Sequence, residues 1–214
     1  MLWMWLVVET RKRFVLLNQF LIKLISIPER LQVNNIKATN KCEVRNEIKR
    51  ITALYNELCD VVDLINDVFG AGLLISVIFT ISYVLLYSII LIDFTVFKIG
   101  SSSDVWIIYT SIVWLIENFV KIMALALAGE NLSSEANKTV NVCYGLINKL
   151  ENSEEIRQKL IFLIQQALDR KPCLKASGFF VVKSTMTGFI VGSITSYVIV
   201  AVQFLNEMQT HVTQ

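Results

Sequence analysis

The sequence predicts an all-α polytopic membrane protein with three full membrane-spanning helices. Of its 214 residues, 54% are apolar and 18% are charged, and the mean hydropathy of +0.56 lies above the usual range of soluble proteins. Residues 68–92 and 184–206 form runs of 25 and 23 residues without a charged side chain. As a helix, each run is long enough to cross a hydrocarbon core of about 30 Å.

A third predicted span, residues 105–129, carries two charged side chains. Glu117 and Lys121 stand four residues apart, in the favourable order for an ion pair on one helix face. Because an isolated charge in a bilayer is costly, we favour mutual neutralisation of the two. Contact with a hydrophilic cavity or with another helix is the alternative.

The first residues, MLWMWLVV, are apolar but too few to cross a bilayer. Basic residues follow this stretch, whereas they precede the apolar core of a signal peptide. We interpret residues 1–10 as the end of a preceding membrane helix, with a small interfacial anchor as the alternative.

Basic residues predict the orientation in the plasma membrane. Ten Lys and Arg residues lie in residues 11–67 and seven in residues 130–175, against one in the connection 93–104 and none in the tail 207–214. The positive-inside rule therefore places residues 11–67 and 130–183 in the cytoplasm and the carboxyl terminus outside the cell. Two glycosylation sequons, at Asn131 and Asn137, conflict with this assignment, and we interpret both as unused.

Residues 43–92 have the features of one continuous helix. No Gly or Pro interrupts them before Gly70, and at 1.5 Å per residue the helix would extend about 75 Å, well beyond the membrane. Spacings of three and four between apolar residues predict a packing seam for a cytoplasmic anchor that assembles with partners. The seam consists of Val44, Ile48, Ile51, Tyr55, Leu58, Val62, Ile65 and Phe69.

Residues 130–183 are expected to form a second helical part of this anchor. The sequence from Asn152 to Glu155 is typical of a capping box, and Pro172 marks the limit of the helix that follows. An apolar stripe on this helix is interpreted as a packing surface, and it consists of Ile156, Leu160, Ile164 and Leu168.

Motifs for catalysis or cofactor binding are scarce, so we expect no enzyme, no cofactor, no metal and no nucleic-acid partner. There is one histidine, His211, and no Gly-rich phosphate loop. The cysteines lack C-x-x-C spacing and fall in segments assigned to the cytoplasm, where thiols stay reduced. They are Cys42, Cys59, Cys143 and Cys173.

One acidic cluster suggests an alternative. Asp60, Asp63 and Asp67 are similar to the aspartate-rich Mg²⁺ sites of membrane prenyltransferases. Such an enzyme needs a second aspartate cluster, which the sequence lacks. On the heptad frame of the seam these residues lie on the far face, so an exposed acidic surface is the simpler interpretation.

The last span combines a ridge of small residues with polar side chains. Small residues recur every four positions and predict close helix packing in lipid; they are Ser184, Gly188, Gly192 and Ser196. Gln203 shares a face with Ser196, and lipid cannot satisfy its amide, so Gln203 should face protein or water. A single interhelical hydrogen bond is the alternative to contact with water.

Three motifs carry a family resemblance. SYVIVAVQF, residues 196–204, resembles the T-Y, five apolar residues and Q-F of the last membrane helix of insect gustatory receptors, with Ser196 in place of Thr. SGFFVVKSTM, residues 177–186, resembles the G-F-F stretch that enters that helix. Residues 51–74 resemble the approach to the fifth helix.

The resemblance implies a ligand-gated, non-selective cation channel for taste, related to insect odorant receptors. Such receptors have seven helices per subunit, four subunits around one pore, and a cytoplasmic anchor domain. On this chain, residues 68–92, 105–129 and 184–206 would be helices five, six and seven. Gln203 and Phe204 would form the outer gate; the other implied residues are Ser196 and Val200 in the pore and Tyr197 as a brace.

The length of the chain differs from the family pattern. It corresponds to about the carboxyl-terminal half of a receptor, without helices one to three and most of four, which supply much of the ligand pocket. We expect a truncated form or a short member that contacts lipid and other subunits. A small-molecule tastant would bind if the missing helices were supplied, and a non-conducting interaction subunit is the alternative.

Overall fold

The computed structural model describes residues 2–31, 37–92, 94, 102–149 and 154–212, and most of these are helical. The helices of this described part are α1 (Leu2–Leu31), α2 (Lys37–Ile92), α3 (Ser102–Lys149), α4 (Glu154–Asp169) and α5 (Ser184–Val212). Two short strands between α4 and α5, β1 (Lys175–Ala176) and β2 (Phe180–Val181), pair in a ribbon. The predicted all-α class is confirmed, with the ribbon as the one addition among the described residues.

Three of the described helices are long and apolar enough to cross a membrane, which confirms the predicted number. The segments are Glu43–Ile92 in α2, Val105–Asn148 in α3 and Ser184–Phe204 in α5. In the most apolar windows of the first and third segments, only 11% of the residues are buried within the chain. These surfaces therefore remain for lipid or for another subunit to cover.

Two compact units divide the chain. The first comprises Met1–Gly70 and Ala128–Lys175, and the second comprises Ala71–Leu127 and Ala176–Gln214. Phe14, Tyr55, Leu132 and Leu160 are fully buried in the first unit, one from each of its four helices. The core of the second unit contains Leu73, Val77, Ile122, Leu125 and Ile190.

The first helix contributes one continuous stripe to the first unit. Its buried apolar residues are separated by seven, three, four and three positions, as expected for one face of an α-helix; they are Val7, Phe14, Leu17, Leu21 and Leu24. The ring of Phe14 meets the ring of Tyr55 edge to face at 5.8 Å between centroids. The interpretation of residues 1–10 as the end of a membrane helix stays a prediction.

The predicted seam of α2 lies mainly inside the first unit. Ile48, Ile51, Tyr55, Val62 and Ile65 are buried, and the other three predicted residues, Val44, Leu58 and Phe69, are half-buried. Cys59 is buried where a strict heptad places Leu58, because a straight helix repeats every 3.6 residues and drifts from a period of 3.5. The seam packs against the chain's own helices, so subunit assembly through it stays a prediction.

The fourth helix begins and ends for local reasons. Glu154 and Glu155 stand in its first turn, where negative charge is favourable, and Pro172 follows its end. Three of the four residues of the predicted stripe are buried, whereas Leu168 is 43% exposed and Ala167 is buried instead. Asn152 and Ser153 of the predicted capping box lie outside the described residues, as does most of the connection 93–104.

Residues 170–183 are not helical, although the sequence pattern predicted a helical segment over 130–183. Helix α4 ends at Asp169, and the ribbon follows. The G-F-F stretch thus stands at the turn of the ribbon, directly before α5.

Candidate functional site

Helix α5 has one face that is covered by the second unit and another that is open. Met186, Thr187 and Ile190 are buried on the covered face. The ridge of small residues lies outside this face, and Ser184, Gly188, Gly192 and Ser196 are all exposed. A Cβ added at either glycine of the ridge would have no neighbour within 4 Å among the described residues. Close packing of the ridge therefore requires a surface from outside this chain and stays a prediction.

The predicted pore residues are also exposed. At 100° per residue, Gln203 lies within about 20° of Ser196 and continues the ridge, whereas Phe204 lies about 100° away, with Tyr197. Gln203 is exposed; Phe204 and Tyr197 are 65% exposed, and Val200, which lies between the two faces, is 48% exposed. The amide and the ring are therefore both open at this end of α5, although Phe204 lies five turns beyond the buried Met186 on the same face.

Two hydroxyl groups of α5 are satisfied by the helix itself, whereas the buried Thr187 Oγ1 has no hydrogen-bond partner among the described residues. Thr195 donates to the Val191 carbonyl at 2.9 Å, and Ser196 donates to the Gly192 carbonyl at 3.1 Å. The Gln203 amide makes no hydrogen bond to the described residues. Near the end of an apolar helix, this amide needs water or another protein as a hydrogen-bond partner.

The charged pair in α3 is formed. Lys121 Nζ lies 2.7 Å from Glu117 Oε1, and the two side chains are 55% and 50% exposed. The two opposite charges thus meet on the open side of the helix. Phe119 and Val120, at the neighbouring positions, are also at least half exposed.

A polar cluster in the first unit holds the end of α4 on α2, and sequence analysis did not predict it. Nη2 of Arg170 lies 2.7 Å from Asp60 Oδ1 and 2.9 Å from Asp63 Oδ2. These hydrogen bonds, first to Asp60 and then to Asp63, raise the pKa of Arg170 above its usual value. The Arg170 carbonyl accepts from the Tyr55 hydroxyl at 3.2 Å and from Cys59 Sγ at 3.7 Å.

One more residue of α2 extends this cluster toward the ribbon. Asn66 Nδ2 donates to the Cys173 carbonyl at 2.9 Å, and the backbone N–H of Lys175 donates to Asn66 Oδ1 at 2.9 Å. Five side chains of α2 thus bind the connection 170–175, and we call this set the clamp: Tyr55, Cys59, Asp60, Asp63 and Asn66.

The clamp changes the interpretation of the acidic cluster. Asp60 and Asp63 are 65% and 60% exposed, as an acidic surface requires, yet both bind one guanidinium. In the part of the chain that the structure describes, no three His, Cys, Asp or Glu residues converge as metal ligands would. The sequence shows two aspartates three residues apart and an arginine two residues before Pro172. It does not show that these side chains meet in the fold.

A buried polar contact joins α1 to α3 in the same unit. Asn18 donates to the Glu135 carbonyl at 2.8 Å, and the Thr139 hydroxyl donates to Asn18 Oδ1 at 2.7 Å. Asn18 is 5% exposed and Thr139 is fully buried. Because both polar groups are removed from water, this contact fixes which faces of the two helices meet.

The family model described as 7tm chemosensory receptor matches residues 1–205. The chain belongs to the 7tm chemosensory receptor family. The match covers nearly the whole receptor chain, including the clamp and the part of α5 up to Gln203 and Phe204. No curated protein matches the receptor.

Family membership settles the broad character of the receptor. It confirms the resemblance drawn from the sequence motifs, and with the three apolar helices it makes the chain a multi-pass membrane protein with a chemoreceptor role. The family is not a class of enzymes. In this receptor the paired aspartates of α2 serve as partners of Arg170.

Proposed function

We propose that the receptor is a subunit of a ligand-gated cation channel for the perception of taste, with α5 as the pore helix. The observation that carries this proposal is that Ser196 and Gln203, which share one face of α5, are both exposed. An exposed face with a hydroxyl and an amide is poorly suited to lipid. It suits the water-filled axis of an oligomer of four subunits.

The positions of Gln203 and Phe204 support a gate. They are successive residues, about 100° apart and both exposed near the end of α5, so a rotation of α5 would exchange one for the other at the axis. A ring of phenyl groups excludes water and closes a pore, whereas a ring of amides solvates hydrated cations. Val200 would line the pore one turn away, and Tyr197 would brace α5 against a neighbouring helix.

The proposed orientation follows from charge. The first unit contains the two basic segments of the chain and would lie in the cytoplasm as an anchor, with the carboxyl terminus outside. Burial of the Thr139 hydroxyl against Asn18 supports an unused sequon at Asn137. A glycosylation sequon introduced into the carboxyl-terminal tail should acquire a glycan. A glycan on Asn131 or Asn137 would contradict the orientation.

The clamp has a natural place in such a channel. It fixes the connection 170–175 to α2, and this connection leads through the ribbon into α5. A tastant would bind where the remaining helices of the family pattern are supplied by a full-length partner subunit. The clamp would then keep the connection 170–175 in place on α2 during gating.

Co-expression with a full-length receptor of the family tests the proposal. Gln203→Ala should change cation selectivity, measured as the reversal potential of ligand-evoked currents. Val191→Ala is the matched control, since Val191 is exposed on α5 but lies about 120° from Gln203. A reversal potential that is the same for parent, control and Gln203→Ala would contradict a pore position and favour a non-conducting interaction subunit.

A further inference from the structure

A constrained turn joins the two strands of the ribbon before α5. The backbone N–H of Phe179 donates to the Ala176 carbonyl at 3.0 Å, and both residues between them have positive φ, 51° at Ser177 and 79° at Gly178. Positive φ is uncommon for a residue other than glycine. This turn holds Phe179 in a fixed place at the tip of the ribbon.

One side of the ribbon is buried, and the open side carries Val181 together with the exposed Lys175. Ala176 and Val182 are fully buried in the second unit. Phe179, in the turn, is 77% exposed, and Val181, in β2, is 38% exposed. Phe179 and Phe189, each 77% exposed, are the most exposed large apolar side chains among the described residues.

The position of the ribbon along the chain indicates which environment this is. The apolar segment Ser184–Phe204 has 21 residues, about 31 Å at 1.5 Å per residue, which matches the hydrocarbon core. Ser184 therefore lies near one boundary of the core, and Val181 precedes it by only three residues. Lys183, between them, can extend its ammonium group to lipid phosphates.

We propose that the turn of the ribbon is a lipid anchor. Phe179 and Val181 insert at the boundary between headgroups and acyl chains, in the leaflet where α5 begins, and Lys183 pairs with phosphate. The open apolar surface consists of two side chains, far smaller than a stable protein interface, whereas a membrane interface accepts single aromatic residues. The inference depends on α5 spanning the membrane and not on channel activity.

Fluorescence of the full chain in liposomes tests the anchor. Phe179→Trp would be compared with the parent in phosphatidylcholine and in phosphatidylcholine brominated near the headgroup end of its acyl chains. The emission gained with the substitution should be lost in the brominated lipid. Phe162→Trp is the matched control, since Phe162 is 61% exposed on α4 and should keep its added emission.

A second variant controls for a change in folding caused by the substitution at the turn. Val181→Trp lies on the open side of the ribbon and should show the same loss of added emission. Equal quenching of Phe162→Trp and both ribbon variants would overturn the proposal. Blue-shifted emission from both ribbon variants without quenching would also overturn it, because the turn would then contact protein.

Discussion

The guanidinium of Arg170 binds the carboxylate of Asp60 across 110 residues of sequence, with Nη2 2.7 Å from Oδ1. The same nitrogen binds Asp63 at 2.9 Å. Asp60 and Asp63 lie in the turns of α2 that precede its most apolar part, and Arg170 directly follows α4. This contact gives the connection that leads to α5 a fixed attachment.

Removal of the ion pair should weaken that attachment modestly. Arg170→Met and the double variant Asp60→Asn, Asp63→Asn should each lower the free energy of unfolding, by about 0.2–1 kcal/mol per exposed pair. Thermal unfolding of the purified chain in detergent measures the change. The combined variant should cost less than the sum, because both changes break the same contacts.

Arg157→Met is the control for this cycle. Arg157 pairs within α4 with Glu154 at 3.6 Å, so its loss should not depend on the aspartates of α2. Strict additivity of Arg170→Met with the aspartate changes would show that the pair contributes nothing.

Asn66 should matter more than its half-exposed position suggests. Asn66→Asp keeps the oxygen that accepts from Lys175 but replaces the donor to the Cys173 carbonyl by a second acceptor. The lost bond and the repulsion between two acceptors should cost about 1–3 kcal/mol. Asn137→Asp, exposed on α3, provides the control, and equal melting temperatures for the two variants would refute the role of Asn66.

The buried contact between Asn18 and Thr139 predicts a further effect on stability. Thr139→Val preserves the shape of the side chain but leaves Asn18 Oδ1 without its donor in a buried place, at a cost of about 1–3 kcal/mol. Thr52→Val is the matched control, since Thr52 donates only to the Ile48 carbonyl of its own helix. A melting temperature unchanged by Thr139→Val would mean that the hydrogen bond is dispensable.

Local patterns in the sequence predict much of this fold. Runs without charge predict the spans because the bilayer sets their length, and the spacing of residues such as Ile51 and Tyr55 predicts a buried face. The same rules put Leu58 and Leu168 in the core, where Cys59 and Ala167 are buried instead, because spacings of 3.5 and of four residues both drift from the helical period of 3.6.

Contacts between distant segments could not be predicted in this way. The bond from Arg170 to Asp60 depends on which turn of α2 faces the end of α4, and that is set by the packing of the whole unit. The ribbon depends on two positive φ angles at Ser177 and Gly178. Of these two residues, only Gly178 could be recognised from the sequence as a candidate for positive φ.

The ion pair in α3 predicts a defect in membrane insertion. Lys121→Met leaves Glu117 without its partner at 2.7 Å, and an unpaired charge within a span costs about 2.5–3.5 kcal/mol on insertion scales. The amount of receptor at the cell surface should fall. The exchanged pair, Glu117→Lys with Lys121→Glu, should restore it, and a surface level unaffected by Lys121→Met would show that the pair is not in the hydrocarbon.

Aqueous access to α5 tests the central claim most directly. Cysteine would be introduced singly at Ser196, Gln203 and Ile190 in a receptor assembled with a full-length partner, and modification by a membrane-impermeant thiol reagent would be recorded with and without ligand. The account predicts modification at Ser196 and Gln203, with a rate that changes on ligand addition, and protection at Ile190, which is 4% exposed. Protection at all three positions in both conditions would contradict it.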